Sequence, residues 1–225
     1  MDGIYPPTCP GCGRFGYRLC SACMEDIIPF SASVCNQCGA PLRSPSQKHP
    51  CLPPECGIAG FRSWAPFKDP LRKVLHSLKY QRNLGVGEVL AASLAGMVHQ
   101  AGWRVHMVIP VPLGRRRQRE RGYNQTAQIA HPLALMLRSP YRPNAIWRSR
   151  ETSSQVKMNR RERFDNVSQA FSADEEQVSG RTILIIDDVA TTGATISECA
   201  RALKNARAKE VYCLTVARAV LQDDL

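Results

Sequence analysis

Long apolar runs are missing from this chain of 225 residues, and their absence argues against a membrane-spanning helix. No stretch approaches the roughly 20 apolar residues that such a helix needs. The segment Met1 to Cys9 also lacks the basic start and the apolar core of a secretory signal peptide. We therefore expect a cytoplasmic protein without membrane insertion.

Acidic residues are scarce in the middle of the chain. Residues 61–150 hold sixteen Lys and Arg but only three Asp and Glu, so the net charge of +11 arises there. Five arginines fall within Arg115 to Arg121, a segment that we interpret as a loop between Gly114 and Gly122. Guanidinium groups form bidentate contacts with phosphate oxygens, so this loop is predicted to bind a diphosphate or a nucleic-acid backbone. A solvated loop without a ligand is the alternative.

Cysteine is nearly absent after residue 56, since eight of the ten cysteines precede Gly57. Those eight form three Cys-x-x-Cys pairs and one looser pair. Each pair can present two thiolates to one tetrahedral ion, which predicts two structural Cys₄ zinc sites. We group the ligands in chain order, in preference to an interleaved arrangement, as Cys9, Cys12, Cys20 and Cys23, then Cys35, Cys38, Cys51 and Cys56.

The last pair departs from the regular spacing because four residues separate Cys51 from Cys56. The chain is therefore predicted to bind one or two structural zinc ions. A disulfide framework is the alternative, which a reducing cytosol disfavours. Few large apolar residues accompany the cysteines, so we expect a metal-dependent module over residues 1–58 and a second domain over residues 59–225.

Apolar periodicity in the second domain predicts alternating helices and strands. Leu71, Val74, Leu75 and Leu78 form one helical stripe, and Pro132 should kink or interrupt a later helix. The predicted helices are 68–80, 88–99, 124–137 and 196–206, and the predicted strands are 106–111, 183–186 and 211–216, with a short strand near Trp147.

A strand, two carboxylates and a small hydroxyl-rich loop follow one another between Ile183 and Thr195. The run Ile183 to Ile186 is short and mostly β-branched, which is typical of a strand covered on both faces of a parallel sheet. Asp187 and Asp188 follow at the carboxyl end of the strand, where open α/β sheets bind ligands. The loop residues are Val189, Ala190, Thr191, Thr192, Gly193, Ala194 and Thr195. Their N–H groups and hydroxyls can hold a phosphate, while the aspartates can accept hydrogen bonds from ribose hydroxyls or lie near Mg²⁺.

An isolated Asp-Asp pair would instead be a solvated strand end, but the complete string favours a ligand site. It resembles the phosphoribosyl-diphosphate signature of type I phosphoribosyltransferases. The string matches neither a Walker A loop nor the Gly-x-Gly-x-x-Gly of a dinucleotide fold. A receiver-type phosphoacceptor would explain carboxylates at a strand end but not the loop from Thr191 to Thr195.

Further motifs extend the resemblance over nearly the whole chain. They are the cysteine pairs, Pro110 to Gln125, Thr152-x-x-Gln155, Arg163-x-x-Asn166, Ala170-Phe171 and the Asp-Asp loop. In this order they resemble the ComF family, which includes competence and GntX-like proteins. The resemblance implies an α/β fold, with a type I phosphoribosyltransferase-like parallel sheet flanked by helices behind an N-terminal double zinc ribbon.

The same resemblance implies roles for individual residues. Asp187 and Asp188 would be the catalytic residues that hold the ribose of phosphoribosyl diphosphate, and Val189 to Thr195 would cradle its 5-phosphate. Mg²⁺ would accompany this ligand. The diphosphate loop would comprise Leu113, Gly114, Arg115 and Arg116. A flexible loop containing Thr152, Gln155 and Arg163 would close over the site and exclude water.

Two functional hypotheses remain open at this point. The first is a phosphoribosyltransferase with an undefined acceptor, linked to DNA uptake, natural transformation or nucleotide metabolism. The second is a non-catalytic factor in which the zinc ribbons and the arginine-rich loop contact single-stranded DNA or other competence proteins. Bases stack on exposed aromatic rings, so the second hypothesis proposes Phe15, Tyr17, Trp64 and Phe67 as stacking platforms.

Overall fold

The computed structural model of the protein describes residues 6–30, 33–44, 46–81, 83–150, 162, 166–167 and 169–219. The described strands are β1 (Gly60–Pro66), β2 (Met107–Pro110), β3 (Ile146–Arg148), β4 (Phe171–Ala173), β5 (Thr182–Ala190) and β6 (Glu210–Arg218). The described helices are α1 (Ser21–Glu25), α2 (Leu71–Tyr80), α3 (Val86–Gln100), α4 (Arg115–Arg121), α5 (Gln125–Met136), α6 (Glu175–Val178) and α7 (Ala194–Asn205), with a 3₁₀ turn over Pro54–Cys56. Among these helices, none combines the length and the apolar character that a membrane span requires.

A four-stranded parallel sheet lies at the centre of the fold, in the order β1-β6-β5-β2. A separate antiparallel pair joins β3 to β4. The central strand β5 is buried from Thr182 to Ile186 because apolar layers cover both of its faces. Ile183 and Ile185 pack in the apolar cluster that includes α7, whereas Leu184 and Ile186 pack in the cluster of α2, α3 and α5. The predicted parallel sheet flanked by helices is therefore confirmed.

Helix α2 confirms the predicted apolar stripe. Its residues Leu71, Val74, Leu75 and Leu78 are buried against the sheet, and its basic residues lie on other faces. Lys79 is one of these basic residues, and its position in the last turn carries it toward the carboxyl ends of the strands.

One local prediction was wrong, and so was the interruption that was predicted as one of two outcomes for Pro132. Residues Arg115 to Arg121 form helix α4 rather than a loop, because arginine is a good helix former and Gly122 ends the helix with a φ of 78°. Helix α5 is not interrupted by Pro132. Proline removes the N–H that would bond to the Gln128 carbonyl, and Gly87 of α3 packs against that carbonyl. A Cβ at Gly87 would lie only 2.2 Å from the Gln128 oxygen.

The second cysteine segment packs directly on the α/β core. Leu52 and Ile58 belong to the same apolar cluster as β5 and α7. Arg218 at the end of β6 donates a 2.7 Å hydrogen bond to the Cys38 carbonyl, and the Phe61 amide donates to the Asn36 carbonyl. This segment therefore packs on the same face of the sheet as α7.

Candidate functional site

A cleft of about 300 Å³ opens where the carboxyl ends of β2 and β5 meet. Asp187, Asp188 and Val189 line it from β5, and Leu113 lines it from the segment after β2. Parallel strands bring their carboxyl ends to one edge of a sheet, which explains why these residues meet. The other described residues that line the cleft are Phe67, Lys79, Val111, Pro112, Arg117, Arg121, Gln125, Thr126, Arg148, Thr191 and Thr195.

The Asp187 carboxyl group accepts hydrogen bonds from the following backbone amide and from α5. The Asp188 amide donates to its Oδ1 at 2.9 Å, and the Thr126 hydroxyl donates to the same oxygen at 3.4 Å. Burial and the neighbouring charge of Asp188 raise the pKa of Asp187 to about 8.

Asp188 has a different charge environment. Its carboxylate is buried and forms an ion pair with the Lys79 ammonium of α2. Burial alone would raise the pKa of Asp188, but the charge and hydrogen bond of Lys79, together with hydrogen bonds from Asp187 and the Val189 amide, hold the pKa below its ordinary value. The surroundings therefore shift the pKa values of the two carboxyl groups in opposite directions, and Lys79 pairs with the one whose pKa is lowered.

The loop after Asp188 surrounds a recess of about 40 Å³ beside the cleft. The recess is small, and hydroxyl and N–H groups line it, so it suits a small anionic group better than a large apolar one. Gly193 stands at the N-cap of α7 with a φ of 79°, and the Ala194 amide donates to the Thr192 hydroxyl. The described residues that line the recess are Asp187, Val189, Ala190, Thr191, Gly193, Ala194, Thr195, Ile196 and Thr215. The start of a helix presents N–H groups and the positive end of the helix dipole, which makes this recess suitable for a phosphate.

Leu52 lies beside Gly193, which is one of the residues that line the recess. A Cβ on Gly193 would lie 3.2 Å from both Cδ atoms of Leu52, so glycine is required here by space as well as by backbone conformation. The second cysteine segment therefore packs against the loop.

Arginines from two elements, α4 and β3, line the cleft. Arg117 and Arg121 lie one turn apart on α4 and line the cleft, and Arg148 approaches from β3. Arg121 donates to Gln125 Oε1 at 2.7 Å and lies 5.0 Å above the Tyr80 ring. Arg116 instead pairs with Glu120 at 2.8 Å on the exposed side of α4.

The predicted diphosphate residues are thus distributed over different positions. Leu113 lines the cleft, Gly114 is the buried N-cap of α4, and Arg115 and Arg116 are exposed. The predicted flexible-loop residues Thr152, Gln155 and Arg163 lie outside the described residues.

Sequence reasoning missed Lys79 and Thr126 as residues of the cleft, whereas Arg117 and Arg121 belong to the run that was predicted to bind a diphosphate. Thr126 follows the Asn124 cap, whose side chain accepts from the Thr126 amide and donates to the Val111 carbonyl at 2.9 Å. The sequence signal was available for Thr126, because this residue directly follows the motif Pro110 to Gln125. Lys79 carried no local signal, because only the packing of α2 against the sheet brings it to Asp188.

A second cavity of about 520 Å³ lies on the opposite side of the segment from Ala65 to Leu71. Its lining is mostly apolar and includes Ile27, Phe30 and Leu42. Neither aspartate of the β5 end reaches it. The smaller polar cleft is therefore the candidate site for charged ligands.

The first cysteine cluster contains the four predicted residues Cys9, Cys12, Cys20 and Cys23, with all sulfur atoms within 4.8 Å of one another. The Sγ atoms lie 3.7 Å apart for Cys9 and Cys20 and 3.6 Å apart for Cys12 and Cys20. Zn–S bonds of about 2.3 Å in a tetrahedron place sulfurs about 3.8 Å apart, so the cluster fits structural zinc. Burial opposes ionisation, yet the amides of Cys20, Cys12 and Gly11 lower the pKa of the Cys9 thiol to about 6.

The second cluster repeats the backbone turn of the first. The Gly13 amide donates to the Cys9 carbonyl at 2.8 Å, and the Gly39 amide donates to the Cys35 carbonyl at the same distance. Cys35, Cys38, His49 and Cys51 have ligand atoms within 4.8 Å of one another. Cys56 was predicted for this cluster but lies outside it, and His49 was missed by the sequence reading. Both clusters fit structural zinc by their donor chemistry.

Comparison with known families supports both parts of this description. The family model for the double zinc ribbon domain matches residues 1–57, and the model for the phosphoribosyl transferase domain matches residues 127–222. The first match contains both cysteine clusters, and the second contains the Asp-Asp loop.

Three curated relatives match over most of their length. The DNA utilization protein YhgH of Escherichia coli K12 is 33% identical over 216 residues, which cover 90% of this chain and 91% of the relative. Competence protein F of Haemophilus influenzae is 30% identical, covering 89% and 90%. Competence protein ComFC of Bacillus subtilis is 25% identical, covering 89% and 84%. With the two domain matches, these relatives show that the chain belongs to the ComF family, whose members join a double zinc ribbon to a phosphoribosyltransferase domain.

Proposed function

We propose that the cleft binds phosphoribosyl diphosphate together with Mg²⁺. The observation that carries this proposal is the close arrangement of three features at one sheet edge. These are the Asp187 and Asp188 carboxyl groups, the small recess from Val189 to Thr195, and the arginines of α4. A ribose that carries a phosphate on one side and a diphosphate on the other matches all three.

Each part of the ligand has a complementary part of the cleft. The aspartates accept hydrogen bonds from the ribose hydroxyls, and the start of α7 donates N–H groups to the 5-phosphate. Arg117 and Arg121 lie where they can contact the diphosphate, so they join or replace Arg115 and Arg116 in that role. Mg²⁺ would supply positive charge at the diphosphate, and Asp187 and Asp188 are the carboxylates that can contact the ion or its waters.

The chemistry that this arrangement favours is displacement of diphosphate from C1 of the ribose. The bond from C1 to the diphosphate oxygen breaks, the electron pair leaves with diphosphate, and a bond forms from C1 to an acceptor. Positive charge develops on the ribose near the aspartates, and negative charge develops on the leaving group near the arginines. The proposed activity is therefore that of a phosphoribosyltransferase.

Calorimetric titration with phosphoribosyl diphosphate and Mg²⁺ tests the proposal. We expect the zinc-loaded wild type to bind and the Asp187→Asn/Asp188→Asn variant to lose binding. Asp26→Asn/Asp69→Asn is the matched control, since both of these carboxylates are exposed and lie outside the cleft. Equal affinity in all three proteins would place the ligand elsewhere, and no binding in any of them would contradict the proposal.

A second candidate function is contact with single-stranded DNA through the first ribbon. Phe15 and Tyr17 expose 75% and 48% of their surface, and the exposed Arg14 lies beside them. The relatives named for DNA utilization and competence favour a DNA context for this chain. Trp64 is buried and is thereby removed from the stacking residues.

Fluorescence anisotropy with a labelled oligothymidine tests this candidate. We expect Phe15→Ala/Tyr17→Ala to weaken binding by about 1–3 kcal/mol per stacked base. Leu135→Ala is the control, because Leu135 is equally exposed but aliphatic and remote from the ribbon. Equal losses in the control and the double variant would rule out stacking on these two rings.

A further inference from the structure

We propose that the second ribbon binds its zinc ion through Cys35, Cys38, Cys51 and His49, and that Cys56 is not a ligand. This Cys₃His site would differ from the Cys₄ site of the first ribbon. The inference concerns the metal centre alone and does not depend on the ligand of the cleft.

The distances in the second cluster match those of a tetrahedral zinc site. Cys35 Sγ lies 3.7 Å from Cys51 Sγ, which equals the Cys9 to Cys20 separation in the first cluster. Cys38 Sγ lies 3.2 Å from His49 Nε2. Zn–S and Zn–N bonds of about 2.3 and 2.0–2.1 Å place sulfur and nitrogen about 3.5 Å apart, so this pair is close to a shared coordination sphere.

The second ring nitrogen of His49 has the partner that a zinc-bound histidine requires. His49 Nδ1 lies 3.2 Å from the Gln47 carbonyl oxygen, within hydrogen-bond distance. A carbonyl accepts but does not donate, so the proton belongs on Nδ1 and the lone pair on Nε2 faces Cys38. Metal-binding histidines regularly donate their other N–H to a backbone carbonyl in this way.

Cys56 has a separate role in the structure. Its sulfur accepts a 3.4 Å hydrogen bond from Gln37 Nε2, an amide that also donates to the Pro53 carbonyl at 3.0 Å. The side chain is buried in the apolar cluster that contains Leu52 and Ile58. Cys38 belongs to the same apolar cluster, so burial alone does not separate the two residues. The hydrogen bond from Gln37 and the position of Cys56 outside the group of ligand atoms distinguish it from the proposed ligands.

The local sequence explains the exchange of ligands. Four residues separate Cys51 from Cys56, and two of them are Pro53 and Pro54, which start the 3₁₀ turn that ends at Cys56. This turn carries Cys56 into the core beside Gln37. His49 lies two residues before Cys51, so the pair His49 and Cys51 replaces the regular pair of cysteines.

Zinc counting on the full-length protein tests the ligand set. After gel filtration, we expect two zinc ions per chain in the wild type and in Cys56→Ser, and one in His49→Ala. His76→Ala is the matched control, since His76 lies on α2 away from both clusters and should leave two ions bound. Loss of an ion from Cys56→Ser, or retention of two ions by His49→Ala, would overturn the proposal.

Cobalt substitution supplies a readout that does not require His49→Ala to fold. Wild-type protein loaded with Co²⁺ should show two different tetrahedral spectra, with seven thiolates in total from the four cysteines of the first site and the three of the second. The His49→Cys variant should shift the second spectrum toward that of the first and add one thiolate-to-cobalt charge-transfer band. Two identical tetrathiolate spectra in the wild type would overturn the proposal.

Discussion

Lys79 and Asp188 form an ion pair across the cleft, between the last turn of α2 and the carboxyl end of β5. Both side chains are largely withdrawn from solvent, with exposures of 22% and 8%. The pair allows one carboxylate to remain ionised beside a second carboxyl group. Without a bound cation, Lys79 supplies the positive charge that a ligand with its metal would otherwise bring.

Removal of Lys79 should therefore destabilise the protein. An uncompensated buried charge costs about 3–5 kcal/mol, and the partial exposure of Lys79 reduces the expected loss for Lys79→Met to about 1–3 kcal/mol. Lys73→Met is the control, because Lys73 pairs with Asp69 at 3.8 Å on the surface and should change stability by less than about 1 kcal/mol. Urea denaturation measures the free energy of unfolding of both variants. Equal losses would show that the buried pair stabilises the protein no more than the surface pair.

The raised pKa of Asp187 predicts a pH dependence of stability. The folded-state pKa of about 8 exceeds the ordinary value of 3.8, so the folded state binds the additional proton between these limits. The free energy of unfolding contributed by this group must fall as pH rises from about 4 to about 8. Asp187→Asn removes this dependence, so the variant should gain stability relative to the wild type as pH rises.

Urea denaturation between about pH 5 and pH 8 measures this difference. Asp69→Asn is the control of opposite sign. Its pKa is lowered, chiefly by the Arg72 hydrogen bond, so its stabilising effect is lost only as pH falls below that window. Parallel stability curves for Asp187→Asn and the wild type would contradict the raised pKa of Asp187.

The two faces of α4 should differ in their effect on ligand binding. Arg117→Gln/Arg121→Gln removes the charges that line the cleft and should weaken binding of phosphoribosyl diphosphate by about 1.5–3 kcal/mol per lost charged hydrogen bond. Arg115→Gln/Arg116→Gln removes exposed charges and should change affinity much less. Calorimetry compares the two, and the reverse ranking would restore Arg115 and Arg116 as the diphosphate residues.

Two glycines of α3 provide a matched test of the contact with α5. Gly87→Ala would place a Cβ 2.2 Å from the Gln128 oxygen, so the two helices would have to move apart. We expect the free energy of unfolding to fall by at least about 1–3 kcal/mol. A Cβ at Gly96 meets no atom within 4 Å, so Gly96→Ala should stabilise the helix by up to about 1 kcal/mol. Thermal denaturation that gave both variants the same sign would contradict this packing.

The sequence predicted those parts of the fold whose signals are local. The run Ile183 to Ile186 is apolar because both faces of its strand are covered, and the α2 stripe repeats because one face of that helix is covered. The Asp-Asp loop was readable for the same reason, since strand end, turn and helix start are consecutive. The parallel sheet followed from these elements.

Other features depended on contacts that no short segment encodes. Lys79 is an ordinary surface lysine of an amphipathic helix until the packing of α2 brings it to Asp188. His49 lies among loop residues, and cysteine spacing alone favoured Cys56 in its place. The charge density of Arg115 to Arg121 suggested a loop, although the spacing of Arg116 and Glu120 is that of a helical ion pair.

Leu52 of the second cysteine segment packs against Gly193, at the start of α7 and in the loop that follows Asp188. A chain divided between the ribbon and the sheet would leave the start of α7 without its rear support, even if every residue of the cleft were retained. Loss of metal from the second ribbon would then disturb the loop through this packing contact, although the metal site lies outside the cleft. A replacement for the ribbon would therefore have to supply the same packing surface to α7 and the sheet.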